Sequence, residues 1–325
     1  MSSSLTIWCN AKFPEAAMAE LKAGIGGHRL ALPQTLHASN LAAGQADPML
    51  QGADIALGQP DPKQVIDLPN VRWVHLTTAG YTRYDTQIFR TAMLSRGAKL
   101  TNSSMVYDEP CAEHVMAMLM AICRRLPHCG ADQTISQSWH SAEHRRQSRL
   151  LETQTVLILG FGAIVRRLLE LLAPFKMNII AIRRTVTGQE PVKTFPYTQL
   201  RELLPQADHV LNILPANPET EEIFNADMFG KMKHSAYFYN IGRGSTVDQI
   251  ALQTVLETRR IAGAYLDVTE PEPLPPDHPL WRLPHCWITP HTAGGHEDEF
   301  HRLVQHFLGN LERFERGDEL LDRVV

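Results

Sequence analysis

At 325 residues the chain is longer than one hydrophobic core usually serves, so roughly 100–200 residues per domain implies two folding units. Apolar residues at 44%, charged residues at 20% and a formal net charge of -4 are ordinary for a globular protein, and they argue against nucleic acid or an anionic membrane surface as a partner. The five cysteines lack a Cys-x-x-Cys spacing, and the start shows no basic stretch followed by an apolar run, so the expectation is a soluble cytoplasmic protein with reduced thiols.

In chain order, short apolar runs at Leu5 to Cys9, Asp54 to Leu57, Trp73 to Leu76 and Ala98 to Thr101 read as buried strands. Helix-like stretches, Pro14 to Ala23 and Tyr84 to Leu94, lie between them, which argues for a parallel α/β sheet. Pro110 to Leu126 is long and apolar and reads as a buried helix leading into a second unit. Six further strands are expected at Val156 to Gly160, Asn178 to Arg183, His209 to Leu214, Ala236 to Ile241, Ala262 to Val268 and Cys286 to Thr289. The closing stretch, Glu297 to Arg316, is helical in character and either caps this sheet or crosses back to the first.

The run Thr155 to Leu159 enters Gly160-Phe161-Gly162-Ala163-Ile164, a strand leading through Gly-x-Gly into a helix. Gly160 permits the tight turn, Gly162 lets backbone amides approach a pyrophosphate, and the helix N-terminus favours its charge. Val165 stands where the fingerprint has a third glycine, a position that serves helix packing and not phosphate contact. About twenty residues further on, where an NAD site places an acidic residue, the chain has Arg183 and Arg184. Guanidinium groups suit a 2′-phosphate, and no carboxylate is present to repel it, so NADP(H) is favoured, with NAD(H) the alternative.

Three later segments each place an ionisable residue after a strand, the edge on which open α/β sheets bind ligands. They are Asn240-Ile241-Gly242-Arg243-Gly244, Asp267 to Pro273 with Glu270 and Glu272 among prolines, and Thr289-Pro290-His291 followed by Gly294. A guanidinium can hold a 2-keto acid, and a histidine beside a carboxylate can supply the proton that hydride addition to a carbonyl requires.

At these residues the chain resembles the D-isomer-specific 2-hydroxyacid dehydrogenases, with Asn102-Ser-Ser, Ala112-Glu113-His114, the Gly-x-Gly turn, Leu214-Pro215, Asn-x-Gly-Arg-Gly and Pro290-His291 in the family's order. It is similar in particular to the glyoxylate and hydroxypyruvate reductases. The resemblance implies two Rossmann-like or flavodoxin-like α/β parallel-sheet domains, a cofactor domain (103–295) inserted in a substrate domain (1–102 with 296–325), and a homodimer. It implies Arg243 as the substrate-binding arginine, Glu272 and not Glu270 as the carboxylate partner, and His291 as the acid/base. Asp267 is implied for the nicotinamide carboxamide and Leu214-Pro215 for the adenosine side, and Ile241, Gly242 and Gly294 complete the cofactor set. Backbone amides of Ala79 and Gly80 are implied for the substrate carboxylate.

The activity expected is reduction of a small 2-keto acid to the D-2-hydroxy acid. The rivals are a phosphoglycerate-dehydrogenase-like enzyme and a dinucleotide-sensing corepressor of the same fold; a formate-dehydrogenase-like activity is disfavoured by Glu272. No metal is expected: His140-Ser-Ala-Glu143-His144 matches a metalloprotease spacing, but Arg145 and Arg146 follow and no third ligand is evident. Trp139 reads either as a residue reaching toward a partner subunit or as a buried one, and His296, His301 and His306, five apart, read as surface residues.

Overall fold

The computed structural model describes residues 4–33, 36 and 44–325, so the reading of residues 1–3 as part of a leaderless start lies outside them. The elements run β1 (Thr6–Cys9), α1 (Glu15–Gly24), β2 (Arg29–Ala31), β3 (Ile55–Leu57), α2 (Pro62–Asp67), β4 (Trp73–His75), α3 (Gln87–Ser95), β5 (Lys99–Thr101), α4 (Ser104–Cys123), α5 (Leu126–Ala131) and α6 (Ser141–Gln147). They continue β6 (Thr155–Leu159), α7 (Ala163–Leu172), β7 (Asn178–Ile182), β8 (Lys193–Phe195), α8 (Leu200–Leu203), β9 (His209–Asn212), α9 (Ala226–Lys231), β10 (Tyr237–Asn240), α10 (Gln249–Glu257), β11 (Gly263–Leu266), β12 (Cys286–Ile288) and α11 (Glu299–Arg316).

The chain divides into two compact units, Met1–Tyr107 with Gly295–Val325, and Asp108–Gly294, the second inserted in the first. The first holds a five-stranded parallel sheet, β2-β1-β3-β4-β5, the flavodoxin-like order. Its core includes Ile7, Leu21, Ile55 and Trp73, onto which α11 lays Leu303, Val304, Phe307 and Leu311, spaced to share one helix face. Phe307 stacks on Trp73 with ring centroids 5.3 Å apart. So α11 packs on the first sheet.

The second unit holds a seven-stranded parallel sheet, β12-β11-β10-β9-β6-β7-β8. Read from β8, it is the Rossmann order 3-2-1-4-5-6 with one more strand after it. The order reverses between β6 and β9. Leu157, Leu159, Val210 and Phe238 face one buried layer, and Val156, Ile158, Leu211 and Tyr239 face the other, against Ala112, Val115, Leu119 and Ile122 of α4. Both faces being buried explains the near-continuous apolar runs that mark these strands in the sequence.

Four details differ from the sequence reading. β2 and β8 are additional strands at sheet edges, with most of their residues outside the core, so neither leaves an apolar run. α4 begins at Ser104, six residues before the expected start, with Pro110 inside it at the cost of one amide donor. His306 is not a surface residue: its side chain is 7% exposed and lies 3.2 Å from Asp322, which the C-terminal segment folds over it. Trp139 is 93% exposed, not buried. All five cysteines are free, and no described helix is long and apolar enough to cross a membrane.

Candidate active site

Parallel strands deliver all their carboxyl ends to one edge, so in the second unit Gly160, Arg183, Leu214, Arg243, Asp267 and His291 each follow a strand of one sheet on that edge. The glycine turn sits beside the reversal point. Gly160 has φ +108°, and a Cβ there would lie 3.0 Å from the Ile213 carbonyl oxygen, so both the backbone conformation and the space call for glycine. Gly162 is the N-cap of α7, and no side chain caps that helix end. Nothing lies within 4 Å of a Cβ built on Gly162. An uncapped ten-residue helix behind an open glycine fits a pyrophosphate. Phe161, Ala163 and Ile164 are half-buried around it, and Val165 is fully buried in the helix-sheet core.

Arg183 does not stand free of carboxylates, as the local sequence suggests. Its Nη1 donates to Glu190 Oε1 at 2.8 Å, while its guanidinium lies over the Phe161 ring, 5.4 Å from the centroid. The same carboxylate accepts from Thr187 N (2.9 Å), Thr187 Oγ1 (2.8 Å) and Gly188 N (2.9 Å), and its side chain is only 4% exposed. These bonds, the Thr187 amide foremost, hold the Glu190 carboxyl down to about 2. The loop after β7 therefore folds back and places an anion on Arg183. Arg184 is 75% exposed and only 3.8 Å from Glu219 Oε2.

Arg243 is held by its backbone. Its carbonyl accepts from Asn240 Nδ2 (3.1 Å) and Thr246 Oγ1 (2.6 Å), and Asn212 Nδ2 donates to both Asn240 Oδ1 (3.1 Å) and Thr246 Oγ1 (2.6 Å). All three partners are buried. The neighbouring glycines are required by close approach: a Cβ on Gly242 would lie 2.5 Å from Leu214 O, and one on Gly244 2.0 Å from Thr269 O. Leu214 and Ile241 point into the core, whereas Pro215 is exposed.

His291 and Glu272 meet. His291 Nδ1 donates to Glu272 Oε2 at 2.8 Å, and Glu272 Oε1 accepts from Thr269 N at 3.2 Å. Burial opposes ionisation of Glu272, but the hydrogen bond and charge of His291, the Thr269 amide and the nearby Arg243 outweigh it, leaving the carboxyl below its ordinary value. Glu270 has no such contact; its backbone is pinned to the Gln249 side chain, with Glu270 N donating to Oε1 (3.1 Å) and Nε2 donating to Glu270 O (2.8 Å). With Nδ1 engaged, Nε2 is the nitrogen left for proton exchange.

His291 adopts φ +52°, a left-handed conformation uncommon for residues other than glycine. Asp267 over-determines it. The Asp267 carbonyl accepts from His291 N at 2.8 Å, and its carboxylate, 3% exposed as a residue, accepts from Thr289 Oγ1 (2.5 Å), Thr292 N (2.9 Å) and Ala293 N (3.1 Å). Behind Thr289 the chain of hydroxyl contacts runs through Tyr265 to His114. Gly294 follows, half-buried. The parts played by Gln249, Thr269, Thr289 and Glu190 are recognisable only through these contacts.

In the first unit, Ala79 and Gly80 lie in the loop after β4. Asn102 Nδ2 donates to Ala79 O at 2.6 Å, Thr78 Oγ1 donates to Gly80 O at 2.7 Å, and Ser103 N donates to Thr78 O at 3.0 Å. The loop carbonyls are thus tied down from within the unit.

A Rossmann sheet with an open glycine turn, and a histidine-carboxylate pair with an arginine along the same edge, define a nicotinamide-dinucleotide oxidoreductase. Residues 116–293 match the family model of the D-isomer specific 2-hydroxyacid dehydrogenase NAD binding domain, and the chain belongs to that family. It is 32% identical over 256 residues to a glyoxylate reductase of Korarchaeum cryptofilum, covering 77% of this chain and 75% of that one. It is 36% identical over 205 residues to the human glyoxylate reductase/hydroxypyruvate reductase, 61% of each chain. Among solved structures, a D-isomer specific 2-hydroxyacid dehydrogenase from Xanthobacter autotrophicus Py2, in complex with NADPH and MES, superposes with a TM-score of 0.81 at 25% identity, over 99% of this chain and 98% of that one.

Proposed function

We propose that the chain reduces a small 2-keto acid of the glyoxylate or hydroxypyruvate kind to the D-2-hydroxy acid, with NADP(H) favoured over NAD(H). The observation that supports this most directly is the 2.8 Å bond between His291 Nδ1 and Glu272, on the sheet edge that also carries Arg243 and the glycine turn. The dinucleotide supplies the hydride when bound. Gly160 and Gly162 would admit its pyrophosphate, and Arg184, the arginine less engaged with carboxylates, would meet a 2′-phosphate; relatives named as glyoxylate reductases and a neighbour holding NADPH support the reading.

In this reading residues 1–102 with 296–325 form the substrate domain and residues 103–295 the cofactor domain. Arg243 binds the substrate carboxylate and polarises its carbonyl, and the amides of Ala79 and Gly80, whose carbonyls are already occupied, add donors. His291 gives its Nε2 proton to the oxygen that gains charge as the carbon is reduced. Glu272 then faces an imidazole that has lost that proton, and in the oxidative direction it stabilises the imidazolium that forms. Leu214-Pro215, Ile241, Gly242 and Gly294 line the dinucleotide, and Asp267 acts chiefly by holding the His291 loop. Assembly as a homodimer in the cytoplasm is part of the same proposal.

The test is initial-rate measurement with glyoxylate, hydroxypyruvate and bulkier 2-keto acids, using NADPH and NADH. The expected result is turnover fastest with the small acids and NADPH, abolished in His291→Gln while dinucleotide binding persists. Dinucleotide binding by the unaltered chain without turnover of any 2-keto acid would overturn the reading in favour of a sensor.

A further inference from the structure

The Gln137–Ser148 segment carries two histidines that the reaction does not use. In the structure His140, the residue before α6, and His144, in its last turn, converge on Asp132, which opens the turn at Asp132–Ser136. His140 Nδ1 lies 2.9 Å and His144 Nε2 2.6 Å from Asp132 Oδ2, and all three ligand-capable atoms fall within 4.8 Å of one another. The third ligand that the local sequence does not reveal therefore comes from the preceding turn.

We propose that Asp132, His140 and His144 form a binding site for one divalent transition-metal ion, which ties the 132–136 turn to α6. Ligands about 2.0–2.1 Å from a tetrahedral ion stand roughly 3.3 Å apart, so each histidine nitrogen would move off the Asp132 oxygen by about half an ångström. Two imidazole nitrogens and one carboxylate select zinc, cobalt, nickel or copper over calcium or magnesium. Arg145 and Arg146 are exposed, and water screens their charge from the site.

The geometry excludes the peptidase arrangement that the spacing suggests. Glu143, which would be the general base there, instead accepts from Gln147 Nε2 at 3.1 Å on the exposed helix face. The role that fits is a staple. Between the ligands lie Ile135, 82% exposed, and Trp139, 93% exposed, and a bound ion would fix the loop that presents them.

The test uses the untagged full-length chain, freed of metal by chelation, titrated with Zn²⁺ by calorimetry and with Co²⁺ by visible absorption. One equivalent should bind, Co²⁺ should give the intense bands of a four- or five-coordinate site, and Asp132→Asn and His144→Ala should each weaken binding by more than about tenfold, since even groups behind the ligands are worth 10–100-fold. Zn²⁺ should also slow hydrogen exchange of the amides of residues 133–147 in the unaltered chain and not in either variant. A metal-free melting curve of each variant, whose altered side chain is 22% exposed at Asp132 and 17% at His144, separates loss of a ligand from loss of the fold. Binding that is non-stoichiometric, or equally tight in both variants, would show an ion held adventitiously by other histidines and would overturn the proposal, as would unchanged exchange in the parent.

Discussion

Replacing Asp267 by Asn keeps the shape of the side chain and removes its charge. The carboxylate accepts three donors, Thr289 Oγ1, Thr292 N and Ala293 N, all from the loop that carries His291. An amide oxygen at the Oδ1 position can keep the Thr289 and Thr292 bonds and the longer of two contacts from Ala293 N, at 3.2 Å, but the new NH₂ group faces the same Ala293 amide, donor against donor. Bonds to charged groups contribute about 1.5–3 kcal/mol and neutral ones about 0.5–1.5, so weakening all three by about 1 kcal/mol each costs about 3 kcal/mol. For a unit the size of Asp108–Gly294, about 2–4 °C per kcal/mol gives a fall in melting temperature of about 6–12 °C. The loosened loop also displaces the imidazole, and a misplacement near 1 Å costs roughly 100-fold in turnover. Differential scanning calorimetry and steady-state kinetics read the two effects separately. A melting temperature within about 2 °C of the parent, the error expected of less than one such bond, with only dinucleotide affinity lost, would refute the clamp and make Asp267 a cofactor contact instead.

The glycines separate into two kinds. Gly244→Ala, whose Cβ would stand 2.0 Å from Thr269 O, should lower both melting temperature and turnover, whereas Gly162→Ala, with open space around its Cβ, should melt like the parent and lose dinucleotide affinity in a fluorescence titration. Removing the anion that occupies Arg183, by Glu190→Gln, should tighten NADPH roughly tenfold, the scale of one freed charge-assisted bond, and leave NADH unchanged; equal effects on both would show that Glu190 only shapes the loop. Burial lowers the pKa of His209 from 6.5 to about 4, so below pH 6.5 the unfolded chain takes up a proton that the folded one refuses. Stability therefore falls as the pH drops from 6.5 to 4, by about 3 kcal/mol from this group, and denaturant melts across that range should show a drop smaller by this amount in His209→Asn.

What the residues reveal in sequence and what they hide follow from the reach of each interaction. The other six strands of the second sheet are legible because their buried residues write an apolar run; β2 and β8, which open on an exposed Arg29 and Lys193, leave none. The strand ends are legible for a related reason: in a parallel sheet each motif that follows a strand falls on the same edge, however far apart in the chain. The restraints are not. Glu190 is a polar residue in a polar loop until the turn at Thr187 and Gly188 brings it onto Arg183, and His306 looks exposed by its spacing until Asp322 covers it. Asp267 shows why this matters for function. Its place after a strand suits a ligand contact, yet its carboxylate is already engaged by the loop three bonds deep. Donors from within the chain reach both carboxylate oxygens, and the same contacts hold the loop on which His291 takes its left-handed backbone.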